Sequence, residues 1–153
     1  MAKELLIAFG VMGVCVVIHV TGIILITDAM VRQRQRIEER PGFAYAACLL
    51  IIVFTALITL HLSEAVIWAA FYRWNGLFGD FETSLYFSLS SYTTAGYGEV
   101  LLPRSWRLLG TMEAISGVLL CGLSAAFLFA IMNALFRFRV DRSRTEQAHK
   151  TDS

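Results

Sequence analysis

Three long runs of apolar residues dominate the chain, and one segment between the second and third breaks their pattern. A helix rises about 1.5 Å per residue, so crossing a bilayer takes roughly 20 apolar residues. The run at 5–27 meets that length and is uncharged when His19 is neutral. A second run, from Phe43 to about Tyr72, is interrupted by His61 and Glu64, and a third, 108–136, by Glu113 near its start. Each predicts a membrane-spanning helix. The first is longer than a signal-peptide core and its end, Thr27-Asp28-Ala29-Met30, lacks a small-residue cleavage pattern, so it is read as retained.

The intervening segment, 75–105, has a different rhythm. Asp80-Phe81-Glu82-Thr83 has the form of a helix start, with Asp80 as N-cap and acidic side chains in the first turn. Continued to Tyr92, this helix has two to three turns, too few to cross a bilayer and suited to re-entering one. Thr93-Thr94-Ala95-Gly96-Tyr97-Gly98-Glu99 follows, and its glycines exclude ordinary helix. The predicted division is a first helix at 1–30, a basic linker at 31–42, a core unit at 43–137 and a tail at 138–153. Within the core unit lie an outer helix (43–74), a short helix (80–92), an irregular loop (93–99) and an inner helix (105–137).

Composition sharpens this into an all-α membrane protein. Hydrophobic residues make up 57% and charged residues 16%, against about 25% charged in soluble domains, and mean hydropathy is +0.63. The charge is also segregated. Arg32, Arg34, Arg36 and Arg40 follow the first run, and Arg137, Arg139, Arg142, Arg144 and Lys150 follow the third. The positive-inside rule makes both clusters cytoplasmic, which puts the N-terminus and 75–105 outside, in the cell membrane. A net charge of +1 without a basic stripe gives no footprint for nucleic acid. No nucleophile–base pair or complete metal set points to an enzyme, and no helix carries arginine at every third position as a voltage sensor would. Cys15, Cys48 and Cys121 lie in apolar runs without metal or redox spacing and read as packing residues.

Irregular backbone at membrane depth is tolerated where protein buries it or where it lines a watery cavity. Glycines at 96 and 98 permit angles that aim successive carbonyls one way, so Thr94, Ala95, Gly96, Tyr97 and Gly98 can replace the hydration shell of a cation. Thr93–Glu99 resembles the signature of potassium channel pore domains of the bacterial two-transmembrane type, here with one extra N-terminal helix. Ala95 stands where that family usually has Val or Ile, and Glu99 where it has Asp. Tyr86-Phe87 falls where the family often has two tryptophans, Pro103 and Trp106 are similarly spaced, and Gly117 aligns with its inner-helix hinge glycine. The resemblance covers about 52–136. It implies a fourfold homotetramer in which each chain gives one loop, potassium bound at Thr94, Ala95, Gly96 and Tyr97, and no other cofactor. Ala95 and the donor-less Phe87 predict looser packing behind the filter and less strict exclusion of sodium.

Ionisable residues inside a membrane are functional suspects. Glu64 and Glu113 each lie about eight residues from the outer end of their helix, roughly 12 Å deep at 1.5 Å per residue. His61 is one turn from Glu64. One expectation is a His61–Glu64–Glu113 cluster joined by Ser90 or Thr93, its two carboxylates sharing a proton and making conduction pH-sensitive; the other is separate partners for each. With Thr93, Glu99 and Tyr86, these residues form the expected support of the loop. His19 reads as a packed, hydrogen-bonded core histidine, and Asp28 as interfacial. Gly117 and Gly122 serve as hinge or as close-packing sites. Gly117, Cys121, Ala125, Phe129 and Asn133 share a face that could line a cavity, with Phe129 either a hydrophobic gate or a lipid- or neighbour-facing side chain. A weakly selective cation channel and a non-conducting accessory subunit remain the alternative readings.

Overall fold

The computed structural model describes residues 2–32 and 43–151, and among them every regular element is helical. Helix α1 spans Ala2–Arg32, α2 Phe43–Trp74, α3 Phe81–Tyr92 and α4 Arg107–Thr151, the last preceded by a 3-10 turn at Arg104–Trp106. Three stretches are long and apolar enough to cross a membrane, Lys3–Arg32, Ala44–Trp74 and Arg104–Arg137. The inner helix continues past the expected boundary at 137 to Thr151. Most of the basic linker, 33–42, lies outside the described residues. At its near end, Arg32 pairs with Asp28 one turn back at 2.7 Å, on the exposed surface.

The chain turns where local chemistry makes helix costly. At the end of α2, Gly76 takes φ +66°, and its amide donates to the Arg73 carbonyl while the Leu77 amide donates to Tyr72. That pair of bonds is a Schellman closure, which needs a left-handed residue best supplied by glycine. At the start of α3, the Asp80 carboxylate accepts from the Thr83 amide at 2.7 Å and the Thr83 hydroxyl at 2.9 Å. These bonds, the Thr83 amide first, hold the Asp80 carboxyl below its ordinary range. A depressed folded pKa contributes stability above the unfolded value, about 3.9, and loses it as pH falls through the folded one. The gap in thermal midpoint between the wild type and Asp80→Ala should therefore be full at pH 7 and shrink below about pH 4.

Short α3 packs against both α2 and α4 at one end of a three-helix frame, and α1 touches both long helices. The inward face of α1 carries Ala8, Cys15 and His19 fully buried, with Ile23 and Ile26 half-buried below. This three-to-four-residue spacing is one stripe of a helix. Two clusters form the core. One joins Trp68, Tyr72, Phe87, Tyr92, Leu109 and Leu120, and the other joins Val53, Leu57 and Ile131. Cys15 is buried, whereas Cys48 and Cys121 lie on exposed faces.

Candidate functional site: the 93–99 loop and its supports

The loop's backbone alternates. Thr94, Gly96 and Gly98 have φ of 60°, 57° and 77°, while Ala95 and Tyr97 between them do not enter the positive range. Alternation of the two hands puts successive amides on one side of a strand and carbonyls on the other. The amide side is fixed by α3: the Thr94 amide donates to Ser91 at 3.0 Å and the Gly96 amide to Ser90 at 3.3 Å. Residues 93–99 lie along an exposed edge of the chain. Glycine carries the positive φ at 96 and 98 without strain. Thr94 carries it at a cost of about 1–2 kcal/mol.

Tyr86 holds the C-terminal half of the loop. Its hydroxyl donates to Glu99 at 3.1 Å, and its ring stacks on Tyr97 with centroids 6.3 Å apart. Phe87 turns the other way, packing edge-on against Tyr72 in the core. Between the loop and α3 a cavity of about 160 Å³ remains, bordered by Tyr86, Ser90, Gly96 and Tyr97. Thr93 closes α3, its hydroxyl donating to the Leu89 carbonyl at 2.6 Å.

Of the two expectations for the carboxylates, the structure shows separate partners and not one shared cluster. Glu113, fully buried, accepts from the Tyr72 hydroxyl at 2.6 Å and from Ser88 at 2.5 Å. Glu64, also fully buried, accepts from the Tyr92 hydroxyl and meets His19 Nδ1 at 2.8 Å. Neither Ser90 nor Thr93 joins them, and the Thr93 hydroxyl donates instead to the Leu89 carbonyl. The reason is register: Tyr72, Ser88 and Tyr92 project into the space between α2, α3 and α4 and reach each carboxylate first. His61 does lie beside Glu64, with Nδ1 3.5 Å from Oε2.

Sequence reasoning missed His19 as the partner of Glu64, 45 residues away, and missed Tyr72, Ser88, Tyr92 and Ser124. His19 was legible as a buried hydrogen-bonded residue, but nothing in an almost uniformly apolar run says which helix it faces. Gly117 differs from the expected cavity-lining position. It is buried, and a Cβ there would overlap the Tyr92 carbonyl, so the glycine lets α4 approach the end of α3. Cys121, Ala125, Phe129 and Asn133 keep an exposed face; Phe129 is 65% exposed and borders a groove shared with Ala46 and Leu50 of α2. Among the described residues, His19, His61 and Glu64 bring together donor atoms that could hold a metal ion.

Comparison with curated proteins and with solved structures returned no match. A family model described as "Ion channel" matches residues 49–134, from the second turn of α2 through the loop into α4. That is more than half of the chain, and it covers most of α2, all of α3 and the 93–99 loop, and the first part of α4. The chain is a multi-pass membrane protein belonging to this two-transmembrane ion channel family, which includes potassium channel pore domains.

Proposed function

We propose that the protein is one subunit of a homotetrameric, potassium-conducting pore whose filter is Thr94, Ala95, Gly96, Tyr97 and Gly98. The observation that carries this reading is the alternating φ of the loop with its amides tied back to α3. One chain supplies one row of carbonyls, and a cage that strips water from a cation needs four such rows around an axis. The exposed faces of Tyr97 and Phe129, 68% and 65% open in a single chain, fit contacts with neighbouring copies or with the conduction path. The arginine distribution supports an outer filter, an external N-terminus and a cytoplasmic C-terminus.

Ala95, with only a methyl group, and Phe87, which has no hydrogen-bond donor and packs on Tyr72, support a filter less tightly braced than one backed by larger side chains. Potassium and rubidium should pass, with sodium discriminated against less strictly. Flux of the three ions into liposomes containing purified protein tests this. Gly96→Ala places a methyl group on a residue at φ +57°, at a cost of about 1–2 kcal/mol per subunit, and should abolish flux. Strong, stable exclusion of sodium would overturn the loose-filter reading. No potassium flux from the wild type would replace the channel reading with that of an accessory subunit.

A further inference from the structure

Glu64, His19, Ser124, His61 and Tyr92 form a closed ring of side chains drawn from all four helices. Glu64 meets His19 Nδ1 at 2.8 Å. His19 Nε2 lies 3.1 Å from Ser124 Oγ, which lies 3.0 Å from His61 Nε2. His61 Nδ1 lies 2.8 Å from the Tyr92 hydroxyl, and that hydroxyl donates to Glu64. The two imidazoles are oriented alike: both Nδ1 atoms face the Glu64 carboxylate, and both Nε2 atoms face one serine oxygen.

Proton counting shows that, with both histidines neutral, this ring is short of one proton or one bound cation. An ionised Glu64 with two neutral histidines, Ser124 and Tyr92 has one ring proton from each of four residues, and five contacts to fill. Tyr92 and His19 spend theirs on Glu64, and Ser124 spends its proton on His19 Nε2. His61 then bonds either Ser124 or Tyr92, and its other nitrogen faces an oxygen lone pair. A buried contact between two acceptors is costly, more so in a membrane interior.

We propose that His19, His61 and Glu64 form a binding site for a divalent transition-metal ion of the Zn²⁺ or Co²⁺ class. The donor atoms all lie within 4.8 Å of one another. Zinc bonds of about 2.0–2.1 Å in a tetrahedron put two ligands roughly 3.4 Å apart, close to the 3.5 Å between His61 Nδ1 and Glu64 Oε2. An ion on the two Nδ1 atoms and one Glu64 oxygen removes the mismatch. Both Nε2–H groups then donate to the two lone pairs of Ser124, and Tyr92 still donates to Glu64 Oε2, the oxygen that the ion shares. Ser124 thus orients both imidazoles from outside the coordination sphere. Two imidazoles and one carboxylate suit Zn²⁺ or Co²⁺ and fail Ca²⁺ and Mg²⁺, which need a shell of oxygens. His61 keeps 19% of its side chain exposed and gives the ion an entry face. Occupancy clamps α1 to α2 and fixes Tyr92, the residue before the 93–99 loop.

The test is a Co²⁺ titration of the purified full-length chain in detergent, read by visible absorption. It is independent of ion flux, so it stands apart from the proposed function. The expected result is tetrahedral Co²⁺ bands at about one ion per subunit, displaced by Zn²⁺ and untouched by Mg²⁺. His61→Ala should eliminate them, and Ser124→Ala, which removes no ligand, should weaken binding about 10- to 100-fold. Absence of the bands in the wild type overturns the proposal, whatever the variants do. So do bands that survive His61→Ala, unchanged affinity in Ser124→Ala, or a strong thiolate-to-cobalt band assigning the ion to Cys15 or Cys121.

Discussion

Gly117→Val should strongly destabilise the protein, while Gly122→Ala, five residues on, should leave it unchanged or slightly firmer. A Cβ at 117 would overlap the Tyr92 carbonyl, with the ring of the same residue next in line. The obstacle is backbone at the C-terminus of α3, so no rotamer change relieves it. Either α4 retreats from α3 or Tyr92 moves, and Tyr92 bears the hydroxyl that joins Glu64 and His61. Overpacking usually costs about 1–3 kcal/mol; with a rigid obstacle and a hydrogen-bond ring at stake, about 3 kcal/mol or more is expected here. At Gly122 an added Cβ meets nothing within 4 Å inside the subunit. There, alanine gains its helix preference of roughly 0.5–1 kcal/mol. Thermal unfolding in detergent checks both. Equal responses would mean that Gly117 is not a contact glycine. A hinge role alone would alter gating and leave the unfolding midpoint in place.

The spans, the N-cap at Asp80 and the irregular loop were legible because each is written in local sequence. Run length fixes a membrane helix, an acidic cap fixes a start, and glycines at alternate positions mark a backbone that is not helix. The supports were not legible, because their partners come from different helices. Glu64 and Glu113 match in depth, yet depth along an axis does not state the rotation of either helix about it. Rotation sends Glu64 to Tyr92 and His19, and Glu113 to Tyr72 and Ser88. In soluble helices a polar face reports that rotation, but in α1 and α2 both faces are apolar. Gly117 was visible as a special residue, while the atom that required it, a carbonyl 25 positions earlier, was not.

Substitutions at Glu113 should divide by hydrogen-bond capacity rather than by charge. Glu113 accepts from Tyr72 and Ser88, and the Ser88 hydroxyl also lies 2.7 Å from the Ala65 carbonyl. Ser88 has one proton for those two acceptors, so one contact is always underfilled while Glu113 only accepts. Glutamine supplies what is missing. Its carbonyl takes the Tyr72 proton, its amide donates to Ser88, and Ser88 is released to bond Ala65. Glu113→Gln should therefore stay within about 1 kcal/mol of the wild type. Glu113→Ala leaves the buried Tyr72 hydroxyl without an acceptor and a void beside it. An orphaned buried group costs about 1–3 kcal/mol and the cavity adds about 24 cal/mol per Å³, so a loss of roughly 3 kcal/mol or more follows. Tyr72→Phe combined with Glu113→Ala should recover part of it, since the orphan is gone. Denaturant unfolding of the four proteins settles the matter. If Gln and Ala at 113 are equally destabilising, the site depends on the negative charge, and the hydrogen-bond account fails.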